Sequence, residues 1–438
     1  MSRRSLARAR RPFIERVLWW IVAATVLLSP LLISISGEER FRLPKELLVR
    51  LAGLLILSAI ALALIWTKWR PALRWRDAPV ALSAGTLVWT MIAATASTNR
   101  LLSTFAIARL VALVAFFLAA YVVLRSRSLG AAIATLAVPA LLNAILASIQ
   151  ELGAWTPFSF DESYDPHYTS TAFVGNVNDV GAYLMIPTVV VIVAAIADRD
   201  RRKILATTSA ILVAALLLNH TLTALIAFAA AMLTLALVAL PGRFRLAAVG
   251  GVSALAVATI LLFPPLRSRA ARITDGLEAG RYDEVVTGRL TPNAAALAMV
   301  EESPLTGVGP GTYGYNYYFF RLRMEQRFPL LLKSNTRMVN FGEAHNDHLQ
   351  IMAEAGIPAY VLLLGALVRL GAVTIRGRRA ENRDARRRFA RLLGLPLAVS
   401  TFVLMLAQFP LQLAASSVAL LFAAAMCWTW SQDDENPG

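Results

Sequence analysis

Residues that usually build metal sites and covalent staples are scarce, with one cysteine and four histidines in 438 residues. A single thiol excludes an internal disulfide and a cysteine-based zinc site. Cys427 falls inside the last apolar run, where a buried structural thiol is expected. His345 and His348 are three residues apart, with Glu343, Asp347 and Glu354 nearby. A metalloprotease pattern needs histidines at i and i+4 with a glutamate between them, and it is missing. Neither a metal nor another cofactor is expected. The apolar runs do not alternate with polar residues, which excludes a transmembrane barrel. No internal repeat is visible, so the two-half symmetry of many secondary transporters is missing too. Acidic residues are few: 27 Asp and Glu stand against 43 Lys and Arg, for a net charge of +16.

That excess invites a nucleic-acid reading, but its distribution opposes one. Basic residues gather in every second connection, in Arg3 to Arg16, Lys68 to Arg76, Arg125 and Arg127, Arg199 to Lys203, Arg243 and Arg245, and Arg376 to Arg391. This is the positive-inside pattern of a chain with both termini in the cytoplasm. No nucleic-acid partner is expected.

The chain is rich in apolar residues, at 57% of the total, with a mean hydropathy of +0.60. Runs of about 18 or more apolar residues recur throughout. The expected fold is an all-α polytopic membrane protein of about twelve transmembrane helices. A large, mostly helical outward loop lies between the ninth and tenth spans. The expected divisions are an N-terminal bundle over 1–264, the loop over 265–356 and a C-terminal bundle over 357–438. The bulky Trp19-Trp20 start of the first run favours an uncleaved span over a signal peptide.

Within the loop, Leu290 to Glu302 carries an amphipathic pattern that stops at Ser303-Pro304. Gly307 to Gly311 forms a tight turn. The aromatic patch Tyr313, Tyr315, Tyr317, Tyr318, Phe319 and Phe320 suits a bilayer interface. A second outward segment, 150–179, is rich in aromatic and acidic residues.

Outward arginines are informative because the positive-inside rule does not call for them. Arg267, Arg269, Arg272, Arg281 and Arg289 lie early in the loop. Guanidinium groups bind phosphate bidentately and stay charged, so several of them converging suit a pyrophosphate. The first three fit snorkelling to lipid headgroups equally well. Arg289, in Thr287-Gly288-Arg289-Leu290, opens a helix, where guanidinium and helix N-terminus can share one anion. His345 fits a general base, because a sugar hydroxyl attacking an anomeric carbon must lose its proton. A helix-capping histidine is the structural alternative. Asn346 and Asp347 adjoin it. His348, one turn on, fits either packing or the site. Lys45 fits either a phosphate contact or an anchor at the start of the second span. Asn176 and Asn178 fit caps of the sixth span better than sugar contacts.

Several segments carry a family resemblance as an ordered set. They are Pro44-Lys45, Gly175-Asn176-Val177-Asn178, Thr287-Gly288-Arg289-Leu290, Ser303-Pro304-Leu305-Thr306-Gly307-Val308-Gly309-Pro310-Gly311, Ala344-His345-Asn346 and Glu354-Ala355-Gly356-Ile357-Pro358. In this order the chain resembles the O-antigen ligase and O-antigen polymerase family of bacterial membrane glycosyltransferases. The resemblance implies an enzyme of the bacterial inner membrane with its large loop in the periplasm, transferring a glycan from undecaprenyl pyrophosphate to an acceptor, without a metal. Ligases use a lipid A-core sugar, and polymerases use another glycan repeat unit. Carried over by motif, Arg289 binds the pyrophosphate and His345 assists the acceptor hydroxyl. The chain departs from the family pattern at His167 to Thr171 and at Asn219-His220-Thr221, where members often carry arginine. A protein O-oligosaccharyltransferase and a lipid-linked sugar transporter are more remote readings. A transporter needs charges along its path, whereas the spans carry few, mainly Arg50, Arg109, Glu354 and Arg369 near their ends.

Overall fold

The computed structural model describes residues 3–34, 39–67, 69–71, 73–157, 170–262, 264–280, 282–286, 288–329, 332, 341–376 and 384–432. Among them the regular structure is helical. The N-terminal helices are α1 (Arg3–Leu28), α2 (Arg42–Thr67), α3 (Ala78–Thr95), α4 (Arg100–Val123), α5 (Leu129–Glu151) and α6 (Val177–Ala197). Next come α7 (Arg202–Asn219), α8 (Leu222–Ala239) and α9 (Gly242–Leu262). The long polar segment holds α10 (Pro264–Glu278), α11 (Tyr282–Val285), α12 (Leu290–Glu302) and α13 (Tyr313–Arg327). The chain closes with α14 (Asp347–Arg376), α15 (Ala385–Met405) and α16 (Ala414–Ser431).

In hydrocarbon every backbone polar group needs an internal partner, which is why continuous apolar runs become helices. Ten of the described helices, α2 to α8 and α14 to α16, are long and apolar enough to cross a membrane. Helices α1 and α9 cover the first and ninth apolar runs of the sequence. The protein is a polytopic helical membrane protein. Helices α6 and α16 form its centre: 83% and 89% of their apolar windows are buried, against 22–28% for α2, α3, α7, α8 and α14. Alanines along α16, among them Ala415, Ala419 and Ala423, are buried and let neighbouring backbones approach closely.

Arg109 lies well inside α4, deeper than the span end where sequence reading puts it. It is fully engaged. Its Nε donates to Glu46 Oε2 at 2.8 Å, and its two Nη atoms donate to the Leu411 and Gln412 carbonyls at 3.1 Å each. The guanidinium ties α2 and α4 to the α15–α16 turn, which leaves it structural rather than part of a charge path.

The polar segment builds its own small core from Met299, Tyr313, Tyr317, Phe320 and Met324, with Ala295 and Ala353. The aromatic patch therefore splits by helical period. Tyr313, Tyr317 and Phe320 share the buried face, while Tyr315, Tyr318 and Phe319 remain exposed. Arg323 pairs with Glu302, and Arg327 with Glu301 at 3.0 Å, lacing α13 to α12. These loop cations are committed to scaffolding.

The turn from Ser303 to Thr312 interlocks with α14. Gly356 (φ 78°) breaks the helix and frees the carbonyls before it. Each finds a new donor: Ala353 O accepts from Val308 N at 2.8 Å, Glu354 O from Gly309 N at 3.0 Å and Ala355 O from Trp89 Nε1 at 2.9 Å. Ile357 N donates to Pro304 O at 2.8 Å. The Glu354 carboxylate accepts from Gly311 N at 2.9 Å and Tyr313 N at 3.2 Å, capping α13. A Cβ at Gly356 would collide with the Leu305 carbonyl. Gly356→Ala is expected to destabilise the protein by about 1–3 kcal/mol from backbone strain alone, with the collision adding to that. Thermal unfolding in detergent checks this. Gly250→Ala in α9, where a Cβ meets open space, is the control that should lose no stability.

Candidate functional site

The site forms where the start of α2, the start of α6, the start of α12, the segment 341–346 and the α15–α16 turn meet. Lys45 organises the first of these. It is buried, and its Nζ donates to the Leu32 carbonyl at 2.8 Å and the Phe41 carbonyl at 2.6 Å. Of its two sequence readings, this geometry is that of an anchor. Gly175 (φ 116°) helps, because a Cβ there would strike Phe41. The turn that carries Arg42 is thus pressed against the start of α6.

Asn176 caps α6 by accepting from Asn178 N at 2.9 Å, as the sequence suggests. The Asn178 side chain is half-buried in the first turn. One residue on, Asp179 is buried and lies 3.7 Å from Arg42 Nη2. Arg42 Nη1 also donates to Glu343 Oε1 at 2.7 Å.

His345 occupies the left-handed region at φ 55°, which is uncommon for a residue other than glycine and costs strain that functional sites often store. Its ring lies edge-on between Phe341, with centroids 5.6 Å apart, and Phe409, at 4.9 Å. Nδ1 is buried without a hydrogen-bond partner. Burial first, then the charges of Arg289 and Arg42, push the imidazole down to about 4. It is neutral at physiological pH, the state a base requires.

Arg289 sits at the N-cap of α12, half-buried. Burial and the neighbouring charge of Arg269 lower its proton affinity, though an arginine stays charged through such a shift. The charge of Arg289 therefore reaches His345, and that of Arg269 reaches Arg289. Arg267 and Arg272, on the same helix as Arg269, are exposed.

Asn346 and His348 are engaged elsewhere. Asn346 Oδ1 accepts from Leu349 N at 3.1 Å, capping α14. His348 is buried, with Nε2 2.9 Å from the Phe402 carbonyl and its ring packed against Tyr360 and Phe402. Asp347 is buried and accepts from Leu411 N at 2.8 Å, fastening the α15–α16 turn beneath His345. Arg281, Thr287, Lys333, Arg337 and the stretch from Phe158 to Tyr168 with Thr169 lie outside the described residues. Residues that sequence reasoning passed over are Arg42, Asp179 and Phe409. Arg42 met the same criterion as the loop arginines, an outward cation without a topological reason, but stood beside the more familiar Pro-Lys pair.

Fold and site together define a multi-pass helical membrane protein with arginines and a neutral histidine gathered where the loop segment meets the bundle. Residues 207–364 match the family model described as O-Antigen ligase, and that segment supports the O-antigen ligase and polymerase family. The match supports a function of the ligase or polymerase type, a family whose substrates are lipid-linked glycans. No curated protein matches the chain. The matched segment contains Arg269, Arg289 and His345 but not Arg42, Lys45 or Asp179.

Proposed function

We propose that the chain is an O-antigen ligase-type glycosyltransferase, moving a glycan from undecaprenyl pyrophosphate to a lipid A-core sugar hydroxyl with inversion. The reading is carried by one observation: Arg289, with Arg269 beside it, shares a site with a neutral His345. The acceptor oxygen forms a bond to the anomeric carbon, and the hydroxyl proton passes to His345 Nε2. The anomeric carbon–oxygen bond breaks on the opposite face, and the pyrophosphate leaves with the electron pair. Arg289 and Arg269 stabilise the charge that develops there. Pyrophosphate is already a good leaving group, so fixed cations suffice and no metal is required. Asn178, Arg267 and Arg272 remain candidate contacts to the glycan or headgroups.

A polymerase would use the same donor and the same base. Lipopolysaccharide from a deletion strain separates the two. Loss of all polymer from the core is the expected ligase result, whereas a single repeat unit left on the core would replace this assignment with a polymerase.

A further inference from the structure

Arg42 is the residue at this site that the transfer chemistry leaves unassigned, and it contacts more of the site's elements than any other residue described above. It opens α2, pairs with Glu343 at 2.7 Å, lies 3.7 Å from Asp179 on α6 and stacks over Phe409 with its Cζ 5.4 Å from the ring centroid. Phe409 in turn meets the His345 ring. Glu343 is two residues before His345, on the segment that enters the left-handed turn. Two carboxylates this close would repel each other and an incoming pyrophosphate unless a cation stood between them. The position of Arg42 is itself fixed from behind, by Lys45 on the Phe41 carbonyl and by Gly175 under Phe41.

We propose that Arg42 is a positioning residue of the transfer site: braced by Asp179, it grips Glu343 and so fixes the strained turn that presents His345. This rests on the transfer reading above. After burial and Arg289, the charge of Arg42 also lowers the basicity of the imidazole. The charged groups around His345 are Arg289 from α12, Arg42 from α2, and Glu343 and Asp347 from its own segment, with Asp179 acting through Arg42. Both arginines favour the neutral ring. Losing Arg42 removes one of them and leaves Glu343 uncompensated, and both changes favour the protonated ring. Losing Glu343 instead leaves Arg42 uncompensated and favours the neutral ring.

The test reads His345 without any donor. Full-length protein in nanodiscs is treated briefly with diethyl pyrocarbonate across pH, and carbethoxylation at His345 is quantified by peptide mass spectrometry. The wild-type midpoint is expected near 4. Arg42→Met should raise it by about one unit, Arg42→Lys should hold it close to wild type, and Glu343→Gln should not raise it. An unchanged midpoint in Arg42→Met overturns the proposal. So does an equal rise in Arg42→Met and Glu343→Gln toward the solvated-imidazole value of about 6.5, since that marks simple loosening. Transfer from undecaprenyl-pyrophosphoryl disaccharide supplies the second readout. Arg42→Met should lower kcat by about 10²-fold with a smaller change in donor KM, the signature of a misplaced base. A wild type that transfers nothing would defeat the transfer reading, and the titration would still decide what Arg42 does to His345.

Discussion

Replacing His345 with alanine is expected to reduce glycan transfer by about 10²–10⁴-fold, the usual contribution of a general base. The protein should remain folded, because Nδ1 bonds nothing and the ring only fills the gap between Phe341 and Phe409. The pH profile makes this sharper. Burial and two nearby guanidinium groups hold the free imidazole at about 4, so it acts as a base at every pH above that value. The acid limb of kcat/KM, which reports the free enzyme, should therefore fall near pH 4 and not near 6.5. A bound pyrophosphate brings negative charge and favours the protonated ring, so the limb of kcat should lie at higher pH than that of kcat/KM. Steady-state rates across pH check both signs. A limb near 6.5 in kcat/KM would mean that the base is a solvated group elsewhere. Full activity in His345→Ala would reduce the residue to a packing element.

Arg289→Ala is expected to lose about 3–4 kcal/mol of transition-state stabilisation, or roughly 10²–10³-fold in rate. The effect is large because the guanidinium is half-buried, and a cation there acts through less water than one at the surface. Arg289→Lys keeps the charge and loses the planar fork, so an intermediate rate is expected. Transfer from undecaprenyl-pyrophosphoryl disaccharide measures both. Arg267→Ala and Arg272→Ala, on exposed positions of α10, should cost much less. A variant at Arg289 with normal turnover would remove the donor from this site.

The fold was legible because its determinants are local. Hydrocarbon permits few structures, so apolar runs translate directly into helices, and α12 begins and ends where the pattern and Ser303-Pro304 place it. The site was legible only for residues with a recognisable chemical oddity, such as a cation outside the positive-inside pattern or an imidazole at the end of a polar loop. Arg42 and Asp179 were not. Their importance lies in meeting Glu343 across α2, α6 and the 341–346 segment, a proximity that no spacing in the chain encodes. The glycine motifs carried the opposite lesson. Gly307, Gly309 and Gly356 belong to the segments that carry the family resemblance, yet in the fold they make the backbone interlock between the 303–312 turn and α14. His348 Nε2 and Asn346 Oδ1, close to His345 in sequence, are engaged by the scaffold.

The site is also divided unevenly along the gene. The segment that matches the family ends at residue 364 and begins at 207, so it holds His345 and the loop arginines but leaves Arg42 and Asp179 behind. Swapping that segment alone between relatives would pair one protein's His345 turn with another protein's brace. A graft that includes the starts of α2 and α6 keeps the two halves of the clamp matched, which makes those two helix ends the natural seams for recombining such enzymes.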